Sequence, residues 1–186
     1  MDAVTLLKRD HQQVAALFRE FKDASDEDKT AIAGQICQLL TLHAQIEEEL
    51  LYPAARGVLE SDDDVLVDEA TVEHATVKNL VGQIETAGSE DDLFTAKVTV
   101  LGEYVTHHVE EEEGELFPKL KGTELDLDAL GAVIETRKGE LMTKLGISAD
   151  PAVEPPESEE SLAEQAPAAV KPETLKKRSG NRVGTR

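Results

Sequence analysis

Residues 43–53 read HAQIEEELLYP and residues 108–118 read HVEEEEGELFP. Each stretch opens on a histidine, places a glutamate four residues later and closes on an aromatic–proline pair at the same offset. Residues four apart on a helix share a face, one turn apart. His43 with Glu47, and His108 with Glu112, therefore each present a nitrogen and an oxygen donor side by side. Ile46 and Leu50 flank Glu47 and place it on an inner, apolar stripe. A carboxylate buried there without a cation is expensive. Glu110, Glu111 and Glu113 read instead as a solvated acidic face.

Outward from these stretches the apolar spacing is helical throughout. Val4, Leu7, His11, Val14, Phe18 and Phe21 share one face of a first helix, and Ser25 to Asp28 form a polar break with N-cap residues. A second helix runs from about Lys29 to Tyr52, with Ile32, Ile36, Leu39, Leu40, His43, Ile46, Glu47 and Leu50 inward. Pro53 is expected to end or kink it. Asp62 to Asp64 suit the start of a third helix, where negative charge meets the dipole. That helix carries Val67, Ala70, His74, Val77, Val81 and Ile84, and Gly88 and Ser89 close it and cap the next. The fourth helix carries Phe94, Val98, Leu101, Val105, His108, Glu112 and Leu116, up to Pro118. A shorter amphipathic segment spans Leu127 to Leu145, anchored by Leu130, Ile134 and Leu141 and ended by Gly146. The expectation is an all-α bundle domain over residues 1–147. Residues 148–186 form a tail rich in Pro, Glu, Ala and Ser that turns basic at its end, and such a composition predicts disorder.

All five histidines fall in the four bundle helices, at least one on each. His11, His43, His74 and His108 lie on the apolar stripes. A lone histidine on such a face is usually a satisfied core residue, but four of them, each costing roughly 1–3 kcal/mol if buried unpartnered, call for a shared partner. A metal bound by neutral imidazoles supplies one. Mixed imidazole and carboxylate donors from four helices suit a di-iron or di-manganese carboxylate site, whereas a structural zinc needs only about four ligands. His107 and His108 compete for the fourth-helix position. His108 has the more apolar face and aligns with His43, so it is assigned to the metal and His107 to the rim. Tyr104, one turn before His108, is either a hydrogen-bonding neighbour of the site or a core aromatic with a wet hydroxyl.

The ordered set Asp10-His11, His43-x-x-x-Glu47 with Tyr-Pro, Glu73-His74, and His108-x-x-x-Glu112 with Phe-Pro resembles the hemerythrin-like, or HHE, cation-binding family. The resemblance covers roughly residues 5–120. It implies an up-down antiparallel four-helix bundle around an oxo- or hydroxo-bridged pair of iron ions, held by His11, His43, Glu47, His74, His108 and Glu112. The chain departs from the oxygen-carrying hemerythrins of marine worms. They place a second histidine four residues after the third-helix histidine, where this chain has Lys78, and their fourth-helix carboxylate is an aspartate one residue beyond Glu112. The expectation therefore moves from reversible oxygen carriage towards an open coordination position that admits peroxide or nitric oxide.

A formal net charge of −20 opposes nucleic acid and anionic membranes as partners. Aromatics at 3% with no Trp favour packed helices over a β-sandwich. The single cysteine, Cys37, excludes an intrachain disulfide framework and reads as a buried core thiol. No apolar run approaches the length of a membrane span or signal peptide, so a soluble, cytoplasmic and monomeric protein is expected. Two functions stay open: catalase-like chemistry on hydrogen peroxide in oxidative or nitrosative stress, and a sensor or storage module for oxygen, nitric oxide or iron.

Overall fold

The helix boundaries follow from local chemistry. In the computed structural model, which describes residues 1–147, α1 spans Ala3–Asp23 and begins where the Asp2 carboxylate accepts the Thr5 amide. Helix α2 spans Asp26–Ile46, with three acidic residues in its first turn facing the dipole. Helix α3 is Tyr52–Arg56, α4 is Asp64–Ala87, α5 is Phe94–Glu111, α6 is Phe117–Lys121 and α7 is Leu127–Leu145. Gly88 and Gly146 end α4 and α7 at positive φ, 64° and 67°, where a side chain would be strained. The result is an up-down antiparallel four-helix bundle with a fifth helix. The tail expected over residues 148–186 lies outside the described residues. Among the described residues no helix is long and apolar enough to cross a membrane.

Three local expectations are corrected. Pro53 and Pro118 do not end their helices, which run on to Arg56 and Lys121. The turns just before them, Glu47–Leu51 and Glu112–Leu116, are π-helical, closed by Tyr52 N–H to Glu47 O and Phe117 N–H to Glu112 O. The wider turn gives room where a proline ring would strike the preceding carbonyls of a regular α-helix. Ser89 does not cap α5. The N-cap position is Leu93, which makes no side-chain cap, and Asp91 shapes the turn before it, its side chain accepting the Leu93 amide and its carbonyl the Phe94 amide. Tyr104 is neither core nor site neighbour: it is 45% exposed.

The core is divided. One apolar cluster, with Leu7, Ile46, Leu51, Leu116 and Phe117, fills the end of the bundle where the π turns lie. The other, with Val14, Ile36, Val77, Leu101 and Val105, fills the opposite end. The buried polar residues are His11, His43, Glu47, His74, His108 and Glu112, set between two water-excluding plugs. Helix α7 packs against the first plug through Ile134 and Leu141. Its approach depends on Gly131, where a Cβ would stand 2.8 Å from Ala3 N and closer still to Met1 O. Both contacts are backbone and cannot rotate away. Gly131→Ala is expected to lower stability by about 2 kcal/mol, the usual scale for overpacking, measured by urea denaturation. An unchanged midpoint would show that α7 shifts freely on the bundle.

Candidate metal centre

His11 on α1, His43 on α2, His74 on α4 and His108 on α5 point inward from four helices. Glu47 and Glu112 stand one regular helical turn after His43 and His108, their amides bonding the His43 and His108 carbonyls, so each carboxylate reaches the level of the imidazoles; the two π turns begin at these glutamates. The six side chains fall in two overlapping groups. His11, His43, Glu47 and Glu112 offer atoms within 4.8 Å of one another, and so do Glu47, His74 and His108. Glu47 belongs to both. Its Oε1 lies 3.2 Å from His43 Nε2 and its Oε2 lies 3.3 Å from His74 Nε2. Glu112 Oε2 lies 3.5 Å from His11 Nε2 and 3.6 Å from His108 Nε2.

Every imidazole has a carboxylate on its outer side. His11 Nδ1 is 2.8 Å from Glu113, His74 Nδ1 is 3.1 Å from Glu48, and His108 Nδ1 is 2.8 Å from Glu73. His43 Nδ1 faces Asp10 at 3.8 Å, an ion-pair distance too long for a hydrogen bond. The hydrogen-bonded carboxylates hold the proton of His11, His74 and His108 on Nδ1 and leave Nε2 as a bare lone pair. Yet His11 Nε2 is 3.0 Å from His43 Nε2, and His74 Nε2 is 3.1 Å from His108 Nε2. Two lone pairs facing each other at that distance, as on His74 and His108, repel. Both oxygens of Glu47 and Oε2 of Glu112 are buried without any hydrogen-bond partner. Repelling lone pairs and unanswered carboxylates are relieved together by cations placed between them. Separations of 3.0–3.6 Å are the donor–donor edges expected around a cation with bonds of about 2.1 Å. The residues fit bound cations.

The carboxylate ring is itself backed by cations. Lys138 from α7 pairs with Asp10, Lys8 with Glu113 at 3.0 Å, and Lys78 with Glu48 at 2.6 Å. Lys78, which stands where a histidine would be a fifth imidazole donor in the worm proteins, thus works from outside by positioning Glu48 behind His74. Glu113 is corrected from solvated face to a half-buried partner of His11. The repeat carried the signal, since it aligns Glu113 with Glu48, each one residue after an inward glutamate. His107 is 62% exposed in its side chain, and its Nε2 is 3.1 Å from Glu111 and 3.7 Å from Glu73. It belongs to the rim, as its face predicted.

Tyr52 was not singled out by the sequence except as half of a Tyr-Pro pair. It is buried, donates its hydroxyl to Glu112 Oε1 at 3.0 Å and lies 3.2 Å from His74 Nε2. Burial and the neighbouring Glu47 and Glu112 hold the phenol protonated, far above its ordinary range. The equivalent residue in the other half is Phe117, stacked on the His11 ring at 5.9 Å. The two halves therefore differ by one hydroxyl beside the His74–His108 pair.

A bundle with buried imidazoles and carboxylates converging from four helices defines a helical cation-binding protein. Residues 2–120 match the Hemerythrin HHE cation binding domain, and the chain belongs to that family. A hemerythrin HHE cation-binding domain protein from Mycobacterium kansasii shares its fold, with a TM-score of 0.64 and 24% identity over 78% of this chain and 93% of that one. A DNA nickase from Nostoc sp. is 34% identical over 123 residues, 65% of this chain. The match spans only 34% of the nickase's own length.

Without a metal, protons must take the place of cations. Burial lowers the His43 imidazole, but Glu47 and Asp10 outweigh it and hold it at about 10, against an ordinary 6.5. His11 is likewise raised, burial being outweighed by Glu112 and Glu113. A raised folded-state value contributes stability that is complete below the unfolded value and lost as pH rises through the folded one. Metal-stripped protein is therefore expected to melt at falling temperature from pH about 6.5 to about 10. Metal-loaded protein should not show that fall, because binding needs the imidazoles neutral. Parallel melting curves of both forms across this range check it; a stripped form that gains stability over the same interval would show neutral imidazoles without metal.

Proposed function

We propose that the buried cluster holds two iron ions and that the protein handles hydrogen peroxide, oxygen or nitric oxide. One ion would lie on His11 and His43, the other on His74 and His108, with Glu47 and Glu112 shared between them. An iron pair supplies reversible two-electron redox chemistry, sufficient for a catalase-like disproportionation of two peroxides to two waters and dioxygen. The observation that carries this reading is Glu47: fully buried, with its two oxygens facing two different histidine pairs.

The space beside the cluster supports a very small ligand. A cavity of about 20 Å³ is lined by the four histidines and by Val14, Leu40, Ala44, Val77, Val105 and Val109, with Asp10 completing it. That is room for about one water-sized molecule, which suits peroxide or a diatomic gas and excludes organic substrates of ordinary size. The valines keep bulk water out, and Tyr52 keeps a proton on the oxygen next to Glu112. A role in oxidative or nitrosative stress fits this chemistry. The second reading, a sensor or store for oxygen, nitric oxide or iron, uses the same cavity without turnover. The nicking activity named for the Nostoc relative finds a net charge of −20 opposed to phosphate-backbone contact.

Metal analysis of the purified chain, with its visible spectrum before and after peroxide, separates these readings. Two irons and catalytic oxygen release support the first; two irons with a spectral change but no turnover support the second. One zinc and a featureless spectrum after anaerobic iron loading would end both. Within the fourth helix, His108→Ala is expected to lose at least one iron, and His107→Ala to keep both. The reverse result would exchange the two histidines.

A further inference from the structure

Around the buried cluster, the carboxylates behind the four imidazoles have unequal neighbours. Asp10, Glu113 and Glu48 each carry a lysine: Lys138, Lys8 and Lys78. Among the described residues, Glu73, behind His108, has no lysine within ion-pair distance and is faced by His107. The surface beside it is an open depression lined by Asp68, Glu69, Val72, Glu73, His107 and Glu111. Of its carboxylates, Asp68 is already paired with Arg56. Glu73, His107 and Glu111 offer three donor atoms within 4.8 Å of one another. His107 and Glu111 are one helical turn apart on α5, while Glu73 comes from α4, so the donors arrive from two directions onto one point.

We propose that Glu73, His107 and Glu111 form an external docking site at which a divalent transition-metal cation is captured before it enters the buried centre. This rests on the reading of the buried cluster as a cation centre. Three of the four approaches present an ammonium to an incoming cation and repel it. The fourth presents an imidazole and carboxylates, a donor set that borderline cations accept. Glu73 links outside to inside: Oε1 faces His107 at 3.7 Å, and Oε2 accepts from His108 Nδ1 at 2.8 Å. The His108 ring stands between the outer position and the cluster, its Nδ1 on Glu73 and its Nε2 3.6 Å from Glu112. Fixed negative charge at a binding mouth raises association rates by about 10- to 1,000-fold, so the site governs how fast the centre fills rather than how much metal it finally holds.

The test is the loading rate of the metal-stripped full chain. Anaerobic stopped-flow mixing with Co²⁺, read by its visible d–d absorption, is run on the wild type, His107→Lys and Glu111→Gln. His107→Lys gives the fourth approach the ammonium that the other three possess and keeps a nitrogen facing Glu73. Both variants are expected to reach the wild-type end point about tenfold more slowly. The rate should fall with added salt less steeply than in the wild type. Rates equal to or above that of the wild type would overturn the docking site while leaving the buried centre intact. A reduced end point with helicity retained would overturn it differently, by making these residues permanent ligands. A wild-type chain that takes up no Co²⁺ would remove the buried centre and the docking site together.

Discussion

Glu47 has no exposed surface, and neither of its oxygens has a hydrogen-bond partner. A carboxylate in that condition costs several kcal/mol, a large part of the whole stability of a domain this size. Much of the surrounding architecture answers that single requirement. Helical spacing brings Glu47 to the level of His43, the histidines turn their Nε2 atoms towards it, and outer carboxylates accept from Nδ1 on the far side of His11, His74 and His108. Lysines in turn hold three of those carboxylates, and one of them, Lys138, comes from α7. The fifth helix is thus tied to the centre as well as to the apolar plug beneath it.

The two halves of the bundle repeat this arrangement. Asp10-His11 corresponds to Glu73-His74, and His43, Glu47 and Glu48 correspond to His108, Glu112 and Glu113. The repeat generates two equivalent histidine pairs. The differences between the halves carry the chemistry that is not shared. Tyr52 in one half and Phe117 in the other leave a single hydroxyl at the centre. Among the described residues, one outer carboxylate, Glu73, faces His107 where the other three face a lysine. A centre with two similar metal positions would therefore meet protons on one side and incoming metal through one face.

The helices and their inward residues were legible because burial writes a period into the sequence: His11, His43, His74 and His108 stand where the apolar stripe demands a buried residue. The pairing of Glu47 with His43 followed from spacing along one helix. What escaped has a common physical origin in distance along the chain. Lys138 meets Asp10 across 128 residues, and no local pattern encodes it; Glu113 meets His11 across 102, marked only by its alignment with Glu48 in the repeat. Tyr52 lay outside the regular stripe because the π turn before it shifts the register, and a periodic reading cannot see such a shift. The same turn explains why the prolines, ordinarily helix breakers, sit within continuous helices.

The most direct test of the account is a calorimetric titration of metal-stripped protein with Fe²⁺ under anaerobic conditions, comparing the wild type with Glu47→Gln. Because Glu47 faces both histidine pairs, removing its charge should weaken both positions at once. The account predicts two tightly bound irons per chain in the wild type and neither held tightly in the variant. Two irons bound with wild-type affinity by Glu47→Gln would contradict it, and would place the metal, if any, elsewhere than on the shared carboxylate.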